Sequence, residues 1–146
     1  MPFPIAPYDT CSFCLDLSGD RECAFITDNE YAAAQVDERQ YERGAMLVIP
    51  KNHRETILDI EGPEIEAVYR LAKQMAQAAE RAYGAIGANI YQNNGLKASQ
   101  HEPHFHVHVV PKYEDSESEK LFLHRNYDVI PIEKQREIAK TLRNAL

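Results

Sequence analysis

Between Pro103 and Pro111, His104, His106 and His108 alternate with Phe105, Val107 and Val109. Successive side chains of a β-strand point to opposite faces. The run therefore predicts a strand with its apolar residues turned into a core and its imidazoles in a row on the other face, roughly 6.5 Å apart. Half of the chain's six histidines sit in this row on a rigid support. Two chemistries suit it. Imidazoles at alternate strand positions can ligate zinc, which would make the row part of a zinc-dependent hydrolase. Alternatively, the middle ring can act as a nucleophile. The strand alone does not choose between them.

The rest of the chain supplies the frame for such a strand. Residues 23–27 and 31–36 read as strands across an Asp28-Asn29 turn, 45–49 as a third ended by Pro50, and 88–92 as a fourth. Pro63 suits the first turn of a helix. Ile65, Val68, Ala72, Met75 and Ala79 continue it at helical spacing, and Gly84 ends it. A final helix is expected from Pro131, with Ile138, Leu142 and Ala145 on one face. The pattern is α+β: a five-stranded antiparallel sheet, counting the histidine strand, with one long helix packed on it and a C-terminal helix.

A chain of 146 residues is the length of one domain and long enough to bury a core without disulfides. No apolar run reaches membrane-spanning length, and no signal-peptide pattern is present, so a cytoplasmic protein without membrane attachment is expected. Three cysteines, two of them in Cys11-Ser12-Phe13-Cys14, suit a reducing compartment. A net charge of −7 disfavours general nucleic-acid binding. It leaves room for a small anionic substrate, because Lys51, Arg54, Lys97 and Lys112 flank the candidate site segments. The acidic run Glu114-Asp115-Ser116-Glu117-Ser118-Glu119 reads as a solvated loop. Cys23 reads as a small buried strand residue.

The histidine run resembles the signature of the histidine triad (HIT) family, His-x-His-x-His followed by two apolar residues. Asn93-Asn94-Gly95 and Ser99-Gln100, where the family usually has Gly-Gln, lie upstream in the expected order. Gly44 to His53 is similar to the family's strand ending in Ile-Pro-Lys-x-His, and Asp37 stands eleven residues before Val48. The Cys-x-x-Cys resembles that of many bacterial members. The resemblance covers most of residues 11–113, implying one domain over 1–146 with that core and a helical C-terminal extension over 114–146.

The resemblance implies a nucleotide hydrolase or transferase, usually a homodimer, acting on a nucleoside phosphoramidate or dinucleoside polyphosphate. His106 would attack the α-phosphorus and His108 would stabilise a phosphate oxygen. Asp37 would accept from ribose hydroxyls, with Asn93 and Gln100 also contacting substrate. His101 stands where the family usually has Ser or Thr, close to the leaving group, and an imidazole there could donate a proton. Cys11, Cys14, His53 and His104 would hold a structural zinc; no catalytic cofactor is implied. A nucleotide-binding protein without turnover is the remaining alternative.

Overall fold

The computed structural model describes residues 1–117 and 127–146. Five strands form one antiparallel sheet: β1 (Phe25–Asp28), β2 (Ala32–Val36), β3 (Met46–Pro50), β4 (Gly87–Tyr91) and β5 (Val107–Lys112), in the order β1-β2-β3-β5-β4. Asn29 closes the first hairpin, accepting from the backbone N–H groups of Tyr31 and Ala32. Among the described residues three α-helices pack around the sheet: α1 (Ser12–Ser18), α2 (Gly62–Tyr83) and α3 (Ile132–Arg143).

The long helix follows from its sequence. A reciprocal capping box joins Glu61 and Glu64 behind Pro63, and Gly84 closes the far end in the left-handed conformation. Its buried stripe, Ala67, Val68, Leu71, Ala72, Met75, Ala78 and Ala79, lies on one sheet face. Val36, Met46, Val48, Phe105, Val107 and Val109 meet it there. Each fully buried Val, Leu or Met stabilises the fold by about 1.5–3 kcal/mol relative to exposure. Alanines in the stripe bring the helix axis close to the sheet. The C-terminal helix α3 packs on β1, β2 and α2. Arg143 donates to the carbonyls of Phe25 and Ile26, which blunts the β1 edge.

Helix α1 lies against the opposite face. It was not expected, because seven residues are too few to show a helical period and its N-cap is a thiol: Cys11 Sγ accepts from the Cys14 N–H. Phe13 and Cys11 pack there with Ala33, Leu47 and Ile49. The histidine strand also starts later than expected. His106 takes the His104 carbonyl with its own ring, and the Phe105 N–H bonds Arg54, so the ladder begins only at Val107. Alternation nevertheless holds from Phe105 onward. No described helix is long and apolar enough to cross a membrane. Glu114, Asp115 and Glu117 are exposed as expected, while Ser118 and Glu119 lie outside the described residues.

Candidate functional site

His106 and His108 sit on the α1 face, where Phe13 covers His106 at a ring separation of 5.2 Å. Each imidazole is locked from behind. His106 Nδ1 is 2.7 Å from the His104 carbonyl, which can only accept. Nδ1 therefore carries the proton, and the neutral ring keeps its lone pair at Nε2. His108 stacks flat on Tyr91 at 4.3 Å, and the Tyr91 hydroxyl lies 3.4 Å from that of Tyr41. The His106 and His108 rings stand 5.0 Å apart and both line a cavity of about 570 Å³.

His104 turns elsewhere. Its Nε2–H donates to the Pro50 carbonyl at 2.8 Å, so Nδ1 presents its lone pair to Cys11 Sγ at 3.4 Å and Cys14 Sγ at 3.5 Å. His53 Nδ1 lies 3.2 Å from Cys14 Sγ. The four donor atoms fall within 4.8 Å of one another. Zn–S and Zn–N bonds of ~2.3 and ~2.05 Å at the tetrahedral angle give an S···N edge of ~3.6 Å, close to these separations. Outer partners orient both rings. Tyr8 gives its single hydroxyl proton to Glu55 and so accepts from His53 Nε2–H at 3.1 Å. Burial pushes His104 down to about 4, which keeps it a neutral ligand. Burial pushes the Cys11 thiol up to about 12, so a cation beside it is what would hold the thiolate. The donor set, its spacing and its outer bonds fit zinc. His106 and His108 are not in this cluster, so the three imidazoles do not converge on one metal.

The fold and the sequence have counterparts among known proteins. The HIT domain family matches residues 18–115. The chain belongs to the HIT family. A HIT-like protein of Mycoplasma pneumoniae is 37% identical over 106 residues, spanning 73% of this chain and 74% of that one. An adenosine 5′-monophosphoramidase of Schizosaccharomyces pombe is 30% identical over 103 residues, 70% of this chain and 74% of that one. The crystal structure of a Zn-bound histidine triad family protein from Mycobacterium smegmatis superposes with a TM-score of 0.78 at 32% identity, covering 93% of this chain and 92% of that one. The relatives of this HIT chain thus include nucleotide hydrolases.

The structure sorts the remaining site residues of this HIT domain. Asp37, just past β2, lines the cavity and is buried. Burial pushes its carboxyl up to about 7; the Arg39 N–H, donating at 3.0 Å, works against this, and the Glu38 charge works with it. Asn93 also lines the cavity, whereas Asn94 ties down the loop, accepting from Ile57 N–H and bonding Gln92. His101 is exposed at the cavity mouth. Gln100 is buried away from the cavity lining: its oxygen accepts from Gly95 N–H and its amide donates to the Glu55 and Glu102 carbonyls. It shapes the loop that carries His101. Ser99, beside it, holds φ +66°, a left-handed conformation natural to glycine.

The cations also differ from expectation. Lys51 pairs with Asp28, Arg54 with Glu64, and Lys112 with Glu42. Among the described lining residues the arginines are Arg21 and Arg39, and Lys51, Arg54, Lys97 and Lys112 do not appear. Arg21 grips the buried Asp16 through both carboxylate oxygens and Glu38 at 2.7 Å. No sequence motif marks this network, because its members come from α1, the following turn and the end of β2. Cys23 is half-buried on the cavity wall ahead of β1, not within a strand.

Proposed function

We propose that this HIT protein cleaves nucleotides at the α-phosphate, taking a nucleoside phosphoramidate or dinucleoside polyphosphate as substrate. The observation that carries this is the 2.7 Å contact between His106 Nδ1 and the His104 carbonyl. A carbonyl can only accept, so Nδ1 carries the proton and Nε2 the lone pair that attacks. Nε2 bonds to the α-phosphorus and the bond to the leaving nitrogen or oxygen breaks. His101, at the cavity mouth, donates the proton the leaving group needs. Water or another acceptor then releases the nucleotidyl group and restores the ring. His108, held by the Tyr91 stack, stabilises the charge developing on a phosphate oxygen. Asp37 receives the ribose hydroxyls and Asn93 a phosphate oxygen; Gln100 acts through the loop shape. The likeness to a monophosphoramidase supports this chemistry.

Cys11, Cys14, His53 and His104 would hold a zinc whose role is structural, tying α1 to the segment that leads into His106. A homodimer is supported by β4, an end strand of the sheet, where Ile90 is 41% exposed and Ile86 just before it 69% exposed; sedimentation of wild type against Ile90→Glu checks it.

The deciding experiment incubates wild type and His106→Ala with an adenosine phosphoramidate and with diadenosine polyphosphates, and looks for the nucleotidyl adduct by mass spectrometry. His106→Ala should lose several orders of magnitude in kcat while still binding nucleotide. Wild-type kcat in that variant would refute the mechanism.

A further inference from the structure

Three of the first seven residues are prolines, Pro2, Pro4 and Pro7, which fix φ and leave a short arm little conformational freedom to lose. The arm forms no helix or strand, yet it is tied down at both ends. At one end the Tyr8 hydroxyl donates to Glu55 at 3.3 Å and accepts from His53. At the other, the Pro4 carbonyl accepts the Leu96 N–H at 2.8 Å. Phe3 lies against Gly95: a methyl group there would meet Phe3 Cβ at 3.1 Å and the Pro4 oxygen at 3.4 Å. Gly95 also holds φ +91°, so glycine both turns the chain here and lets the arm sit on its backbone.

The stretch beside the arm has no burial of its own. Leu96, Lys97, Ala98 and Ser99 are all exposed, and Ser99 carries the left-handed φ. The buried residues on either side, Gly95 and Gln100, are joined twice. Gly95 N–H donates to Gln100 Oε1 at 2.7 Å, and Gln100 N–H to the Gly95 carbonyl at 3.1 Å. Gln100 Nε2 also donates to the Glu55 carbonyl at 2.7 Å. The arm thus touches two residues that hold Gln100: Gly95 through Phe3, and Glu55 through Tyr8. His101 follows Gln100 directly and is exposed at the cavity mouth, so burial does not fix its ring. Its placement is inherited from the backbone of Gln100.

We propose that Phe3 and Pro4 are positioning residues: the arm straps the 95–100 loop and so aims His101 at the leaving group. The inference rests on reading His101 as the proton donor in nucleotide cleavage. In that step His106 Nε2 forms its bond to phosphorus, and the phosphorus–nitrogen bond breaks with its electron pair on nitrogen. The protonated His101 ring passes its proton to that nitrogen, which leaves as a neutral amine. An amine needs this proton, whereas a nitrophenolate leaves without one. A slack strap should therefore slow release of the amine more than release of nitrophenolate.

The test measures single-turnover release of the leaving group from an N-alkyl phosphoramidate of AMP and from the 4-nitrophenyl ester of AMP. The ratio of the two rates is taken within each protein. His101→Ala should lower the amine-to-nitrophenolate ratio by about a hundredfold, the contribution of a general acid. Phe3→Gly combined with Pro4→Gly should lower it by about tenfold, since misplacing a reacting group by ~1 Å can cost up to about a hundredfold. Phe3→Leu, which keeps an apolar side chain against Gly95, should stay near the wild-type ratio. General loosening of the fold slows both substrates and leaves the ratio unchanged. Phe3 is exposed, so Phe3→Ala keeps the fold and reads the same fall should the double variant not fold. A wild-type ratio in the Phe3 and Pro4 variants, with a fall in His101→Ala, would overturn the strap and leave the donor intact. A wild-type ratio in His101→Ala would overturn the donor reading, and this inference with it. Failure of wild type to cleave either substrate would overturn the nucleotide reading itself.

Discussion

Replacing Asp37 by Asn should stabilise the unliganded protein at alkaline pH while weakening its grip on nucleotide. The carboxyl is buried, accepts one backbone N–H and is pushed up to about 7. An aspartate in an unfolded chain titrates near 3.9. The folded state therefore binds the proton more tightly, and between those two values it carries more protons than the unfolded state. Stability falls with rising pH in that case. The contribution is intact below about pH 4 and is lost as pH climbs through about 7. A shift of about three pH units is worth at most about 4 kcal/mol. The side-chain amide of Asp37→Asn would keep the bond to the Arg39 N–H through its oxygen and does not titrate. Urea denaturation of both proteins, with zinc present and nucleotide absent, should show wild type losing about 2–4 kcal/mol relative to Asp37→Asn between pH 4.5 and pH 8. Nucleotide affinity should show the opposite trend. Ribose hydroxyls donate to the ionised form, so wild-type affinity should rise through pH 7 while that of Asp37→Asn stays flat. Parallel stability curves for the two proteins across this range would refute the reasoning.

Elemental analysis of protein purified without chelator should find one zinc per chain. Cys11→Ser or Cys14→Ser should lose it and melt at a lower temperature, and Tyr8→Phe should weaken zinc about tenfold by freeing His53 Nε2. Zinc-free wild type with the stability of the double cysteine variant would refute the site. Ser99→Gly should stabilise the fold by about 1 kcal/mol, since the position already holds φ +66°; a lower melting temperature would show that the Ser99 side chain contributes more than its backbone conformation costs.

The sequence by itself determined the alternation that puts the apolar side of the histidine run into the core, the capping and stripe of α2, and the family motifs. These are local: a strand or helix period, a cap and a Cys-x-x-Cys spacing are written in neighbouring residues. Even here the short α1 escaped, because one turn and a half capped by a thiol leaves no periodic signal. Only tertiary structure decided how the histidines divide. Two backbone carbonyls, one from His104 and one from the distant Pro50, lock His106 toward the cavity and His104 toward the cysteines. Only tertiary structure could disengage Lys51, Arg54 and Lys112 from the site through ion pairs, and bring Arg21 and Gln35 into its wall. Burial and hydrogen-bond partnership are set by what the other strands and helices bring to a residue. That is why Gln100, read as a substrate contact, is bonded to the backbone of Gly95, Glu102 and the distant Glu55, while Gln35, which no motif marks, lines the cavity.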